Sequence, residues 1–186
     1  MVEQELEKDS LRFMVNFEKV TKVFPKDVFF GDDYMLFIVP NGMKGKAIGQ
    51  LGFNIKQLKE KTGKQIIICE LFDDVKEMLA KYFENVTILK IKNKDGRYLV
   101  YVPDDDRGKA IGKNGHRIKA LKQVFKKYFK DSDVAIRAIS VVAQTSKGMA
   151  YYDVAAENSS EAVNISFDNE ITLGQAAGIE DKSAGA

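Results

Sequence analysis

Apolar and polar positions change period several times along the middle of the chain. In "VKEMLAKYF", Val75, Met78, Leu79 and Tyr82/Phe83 fall on one face of a helix. "NVTILKIK" then reads as a strand, and "NKDG" as a turn with Asp95-Gly96 as the hairpin signal. "RYLVYVP" is the return strand, closed by Pro103. "DDDRGKAI" predicts a short helix whose acidic start suits the positive end of the helix dipole. A glycine corner, "GKNG", follows. "HRIKALKQVFKKYF" sets Ile118, Leu121, Phe125 and Tyr128/Phe129 at helical spacing with lysines opposite. "DVAIRAI" is a final strand. The predicted order is helix, strand, strand, helix, helix, strand.

The same order can be read upstream. A helix covers roughly Leu6–Val20, and "DVFFGDDYMLFIVP" is a hairpin around Gly31-Asp32-Asp33. "MKGKAI", the corner "GQLG", the helix "FNIKQLKEKTG" and the strand "KQIIICEL" complete it. The two halves align without gaps at an offset of 63 residues, Val39 over Val102. "VPNGMKGKAIGQLGFNIKQL" then falls on "VPDDDRGKAIGKNGHRIKAL" with 11 of 20 positions identical. Such a run indicates a duplicated unit near the lower size limit for independent folding. Ile48, Ile55, Leu58, Ile111, Ile118 and Leu121 are the predicted core positions around the corners. The expected boundaries are 1–72, 73–139 and a remainder, 140–186. Only Phe72 to Asp74 separate the last strand of the first unit from the next helix, a joint too short to let the units swing freely.

Charge divides the chain differently. Residues 140–186 hold 7 Asp+Glu against 2 Lys+Arg, a net of −5, which leaves +7 on residues 1–139 of the overall +2. The expectation is a basic body with a polyanion partner and an acidic, largely disordered tail. Within that tail "AVNISF" is a candidate strand and "GQAAGIEDKSAGA" reads as disordered. A single cysteine excludes an internal disulfide, and with one histidine it leaves no Cys/His zinc site. Cys69, inside "QIIICEL", reads as a buried thiol. No apolar run approaches a membrane span, and the acidic start "MVEQELEKDS" does not suit a secretory signal. The expectation is a cytoplasmic protein with no cofactor, no metal and no small-molecule substrate.

The glycine corners exclude two chemistries. A Walker A loop needs four residues before Gly-Lys-Ser/Thr, whereas Gly108 and Gly112 enclose three and Lys113 is followed by Asn. A dinucleotide fingerprint needs an initial G-x-G in a tight strand-to-helix turn, which neither copy has. A third use remains, G-x-x-G between two helices. There the glycines let a nucleic-acid backbone approach, helix-start amides face phosphate, and a basic loop residue adds charge.

"AIGKNGHRIKAL" and "AIGQLGFNIKQL" resemble the core motif of the KH domain. With two strands before the motif and one after, each unit resembles the type II form. The implied fold is α+β: two tandem type II KH domains, each α-β-β-α-α-β with a three-stranded mixed sheet packed on helices. The nearly linkerless tandem resembles the NusA family of transcription factors in its short archaeal form. The resemblance implies single-stranded RNA as ligand, roughly four nucleotides per domain, and RNA polymerase as a second partner. Carried onto this chain, the RNA-binding positions are Gly112, Lys113, Asn114 and Gly115, bordered by Arg107, Lys109, His116, Arg117 and Lys119. In the first copy they are Gly49, Gln50, Leu51 and Gly52, with Lys44, Lys46 and Lys56.

Each position has a plainer reading. GKNG alone is a turn in which glycine permits the backbone angles; its second, in-frame copy and its lysine favour RNA. Gln50-Leu51 departs from the family pattern, because it carries no charge and sets an apolar group where phosphate would lie. The first corner is thus open between weak RNA binding and contact with a base or a protein. For His116 a solvent-facing role stands beside a phosphate contact. Lys122, Lys126, Lys127 and Lys130 read as a general electrostatic surface. No acid–base pair or nucleophile points to an enzyme, and "DDDR" reads as a helix cap rather than a magnesium site. The implied function is RNA binding in transcription elongation, termination or antitermination. The rival is a ribosome-associated or ribosome-assembly factor.

Overall fold

The computed structural model describes the backbone of residues 2–145 and 148–153 and the side chains of residues 10–139. The first unit runs α1 (Val2–Thr21), β1 (Asp27–Phe30), β2 (Tyr34–Val39), α2 (Lys44–Ile48), α3 (Phe53–Thr62) and β3 (Gln65–Glu70). The second repeats it as α4 (Val75–Tyr82), β4 (Lys90–Lys94), β5 (Arg97–Pro103), α5 (Asp104–Ile111), α6 (His116–Tyr128) and β6 (Asp133–Thr145). In each unit the middle strand pairs antiparallel with its hairpin partner and parallel with the strand that returns after two helices. The Asp95-Gly96 turn forms as expected. Both residues have positive φ, 51° and 80°, and Lys94 pairs with Arg97, the geometry of a two-residue hairpin matched to strand twist.

The chain departs from expectation at both ends of the second sheet. The strand expected from Asn85 begins only at Lys90. Ahead of it, Val86 N–H turns back onto Phe83 O, and Thr87 N–H is taken by the Asp106 carboxylate, so these amides never join a ladder. The strand expected to close at Ile139 continues to Thr145 and folds back as β7 (Gly148–Asp153). The second sheet is therefore four-stranded, in the order β4-β5-β6-β7, and it takes in residues 140–145 and 148–153. "AVNISF" and "GQAAGIEDKSAGA" lie outside the described residues.

Strand β2 explains how the units join. All six of its residues are buried. Met35, Phe37 and Val39 pack on the unit's own Phe17, Ala47 and Leu58, with the Phe17 and Phe37 rings stacked at 4.3 Å. Tyr34, Leu36 and Ile38 face the other way, into a cluster that contains Met78 and Leu79 of α4, Phe83 just past it, and Leu121 and Phe125 of α6. A strand covered on both faces is continuously apolar, as "YMLFIV" is. One core thus spans both units. Its rim is polar: Tyr34 Oη donates to Gln123 Oε1 (3.1 Å), Gln123 Nε2 to Phe30 O (3.0 Å), and Tyr128 Oη to Asp27 Oδ2 (2.8 Å). Lys127 pairs with the same Asp27 carboxylate. At the joint, Asp74 caps α4 by accepting from Glu77 N–H.

Cys69 is buried in the shared core, and burial pushes its thiol up to about 12, which fits the structural role expected of it. Of the predicted core positions, Leu58 and Leu121 are fully buried, while Ile48, Ile55 and Ile118 are half-buried against the two clusters. Ile111 is half-buried as well. Among the described residues, no helix is long and apolar enough to cross a membrane.

Candidate nucleic-acid interface

The two corners share one backbone. Gly49 and Gly112 end α2 and α5 at φ/ψ of 76°/168° and 77°/164°. Leu51 and Asn114 follow in the left-handed region, at 50°/26° and 53°/18°. Gly52 and Gly115, at 73°/20° and 72°/17°, start the next helix. A single turn of 3-10 helix is closed by Gly52 N–H on Gly49 O (3.0 Å) and Gly115 N–H on Gly112 O (2.9 Å). Neither α3 nor α6 has a side-chain cap or an acidic residue in its first turn, so the positive helix ends are not neutralised. A Cβ on Gly52 would meet nothing within 4 Å, and one on Gly115 nothing nearer than 3.7 Å. At these glycines the corners face open space.

Behind the loops, one structural job is done with two side chains. Asn54 Nδ2 donates across the first corner to Lys46 O (3.2 Å), and Arg117 Nη1 across the second to Lys109 O (2.8 Å). Arg117 does more. Its Nη2 donates to Tyr82 O (2.8 Å), its guanidinium lies 5.4 Å from the Tyr82 and Phe83 ring centres, and Tyr82 Oη donates to Arg117 O (2.8 Å). Burial holds the Tyr82 hydroxyl well above the usual tyrosine range. Arg117 therefore braces the corner from behind.

Two further predicted cations are also committed. Lys109 Nζ donates to Asp106 Oδ1 (2.7 Å), while Asp106 Oδ2 accepts from Thr87 N–H (2.8 Å). The hydrogen bonds from Lys109 and Thr87 lower the Asp106 carboxyl to about 2, and Asp106 in turn raises Lys109. The "DDDR" group thus serves through Asp106, which ties α5 to the segment before β4. Lys44 Nζ donates to Lys81 O (2.8 Å) and pairs with Glu84 (2.9 Å). The side chains of Arg107, Lys113, Lys119, Lys46 and Lys56, by contrast, make no hydrogen bond or ion pair.

At the tips the corners differ. Leu51 is 90% exposed and Phe53, at the start of α3, is 63% exposed. Their counterparts are Asn114 and His116. The His116 ring lies with Nδ1 against Lys113 O. Asn114 Nδ2 donates to Asp33 Oδ2 (3.0 Å), a residue of the β1–β2 hairpin in the other unit. Sequence reading missed Asp33, Tyr82 and Asp106 as parts of this corner. Their partners lie 81, 35 and 19 residues away along the chain, and no motif ties such positions together.

Residues 74–145 match the KH domain family. The chain is 26% identical over 141 residues to "Probable transcription termination protein NusA" of Thermoplasma acidophilum, covering 74% of this chain and 98% of that protein. It is 28% identical over 135 residues to the protein of the same name from Methanocaldococcus jannaschii, covering 70% and 71%. A solved chain described as "Crystal structure of APE1850" superposes with a TM-score of 0.56 at 31% identity, covering 69% of this chain and 98% of that one.

Proposed function

The chain belongs to the KH-domain proteins and is a relative of the archaeal proteins named NusA, and on that footing we propose that it binds single-stranded RNA during transcription elongation and termination. The first unit, residues 1–72, acts as a second KH domain, and the two hold nascent RNA across their shared core. The protein works in the cytoplasm without enzymatic activity, with RNA polymerase as its second partner.

One observation carries this reading: the second corner combines an open glycine, Gly115, an uncapped helix start and the unpaired ammonium of Lys113. A phosphate suits that place because the positive helix start and a cation favour it, and the space beside Gly115 is open. Gly112, Lys113, Asn114 and Gly115 form the clamp, with His116 beside it and Arg107 and Lys119 supplying charge at its edges. Arg117 and Lys109 support the loop from behind. In the first copy Gly49, Gln50, Leu51 and Gly52 form the same backbone without a charge, and Lys46 and Lys56 are its free cations. Lys44 is held by Glu84.

The test is fluorescence anisotropy with a labelled single-stranded RNA of about 12 nucleotides, long enough for two four-nucleotide sites, across a salt series. Lys113→Asp/Asn114→Asp, confirmed folded by circular dichroism, is expected to lose at least tenfold in affinity and to flatten the salt dependence. Unchanged binding would leave the corner a plain turn. Co-purification of ribosomal subunits in place of polymerase would move the protein from transcription to the ribosome.

A further inference from the structure

We propose that Asp33, in the first unit, is a positioning residue for RNA at the second corner, so that the clamp is built from both units. This rests on the reading of the second corner as an RNA clamp. Asp33 is firmly held. Its own carbonyl accepts from Gln65 N–H of β3 (2.9 Å). Lys64 Nζ donates to Gly31 O (2.8 Å) and Asp32 O (3.2 Å), which ties down the hairpin tip. The Tyr34 ring lies across the tip, where only a glycine at 31 leaves room, because a Cβ there would sit 2.1 Å from that ring. Tyr34 Oη is itself anchored on Gln123 of α6, the helix that the second corner opens. The Asp33 carboxylate is thus presented to Asn114 from a fixed frame.

Asn114 needs such a partner. It is a non-glycine residue at φ 53°, in the left-handed region that side chains disfavour. Holding its side-chain amide fixes the middle of the loop, and with it the direction of the neighbouring amides. Leu51, the matching residue of the first corner, has no polar group that could be held in this way. Pre-organisation of this kind raises affinity by lowering the ordering cost of binding.

The proposal runs against simple electrostatics, which makes it testable. A carboxylate beside a phosphate site should weaken RNA binding, so charge alone predicts that Asp33→Ala binds more tightly. Positioning predicts the reverse: about fivefold weaker binding of the labelled 12-mer RNA by Asp33→Ala. Asp33→Asn, which keeps an acceptor for the Asn114 amide, should bind at least as well as the parent. In an Asn114→Ala background, Asp33→Ala should have no further effect. A nuclear magnetic resonance spectrum of the free protein supplies a readout without RNA. The Asn114 side-chain amide signals should shift in Asp33→Ala and stay near their parent positions in Asp33→Asn. Parent-like or tighter binding by Asp33→Ala overturns the proposal, as do unmoved Asn114 signals. If Lys113→Asp/Asn114→Asp binds RNA normally while the Asn114 signals still respond to Asp33, the clamp reading has failed and the inter-unit contact stands as structural only.

Discussion

At Gly49–Gly52 and Gly112–Gly115 the backbone angles agree within about 10°, yet the side chains around them do not correspond. The first corner is braced by one amide hydrogen bond from Asn54; its tip is apolar and exposed. The second is braced by Arg117 on two carbonyls and two rings, tied down by Asp106, and touched at its tip by Asp33 from the other unit. Duplication preserved what the backbone requires, namely glycine at positive φ. It left the side chains to diverge as the copies took different places in the molecule. The second copy lies where α4, α6 and the first unit's hairpin meet, and there its supports multiply.

Breaking the braces should expose that asymmetry most strongly. Arg117→Ala leaves the Tyr82 and Lys109 carbonyls without a donor and removes a stacked cation, a loss of about 3 kcal/mol in urea unfolding. Asn54→Ala, which deletes the matching exposed and neutral bond, should cost about 0.5–1 kcal/mol. Equal costs would mean that the braces are equivalent. A smaller effect belongs to Asp106, whose place in the first copy is held by Met43. Asp106→Asn should cost about 2 kcal/mol, in the range of hydrogen bonds to a charged group. Because the folded carboxyl is lowered to about 2, this contribution is full above the ordinary carboxylate range near pH 4 and fades as pH falls toward about 2. Acid unfolding of Asp106→Asn should therefore lack that part of the parent's dependence between about pH 4 and 2. Parallel curves for the two proteins would show that Asp106 is not ionised in its clamp.

The difference between the copies also separates what the chain shows by itself from what only folding reveals. Helices and strands near the corners were legible because their signals are local: helical spacing from Ile118 to Phe125, Asp95-Gly96 at the hairpin, glycine at each required angle. The corners were legible because they occur twice. The inter-unit core was half legible. An uninterrupted "YMLFIV" signals a strand covered on both faces, but not that α4 and α6 are the cover. The roles of Arg117, Lys109 and Lys44 were not legible. A cation bound to a backbone carbonyl and one left free for phosphate look the same along a sequence, and only distance separates them. The end of the second sheet was not legible because "SVVAQT", residues 140–145, has no strict alternation of its own, while the β6 ladder, set by backbone pairing, runs on to Thr145.

The smallest effect is also the sharpest comparison. If the corners share a backbone competent for phosphate, transplanting the second tip should be enough to charge the first. Gln50→Lys/Leu51→Asn keeps the glycines, and Asn tolerates the left-handed angle at 51 better than Leu does, so the fold should not suffer. The new lysine joins Lys46 and Lys56, whose side chains are free, on the same unit and adds one phosphate contact. One such contact should steepen the slope of log affinity against log salt by about 0.7 and raise affinity for single-stranded RNA about threefold at low ionic strength. The gain should stay below the loss caused by charge reversal at Lys113, because Leu51 is 90% exposed and the Asp33–Asn114 bond has no counterpart there among the described residues. A gain equal to that loss would show that the tip residues alone make a clamp, and the supports of the second corner would then concern stability rather than RNA. An unchanged salt slope would show that the first corner's amides are closed to phosphate whatever stands between its glycines, and that its exposed Leu51 and Phe53 serve a base or a protein instead.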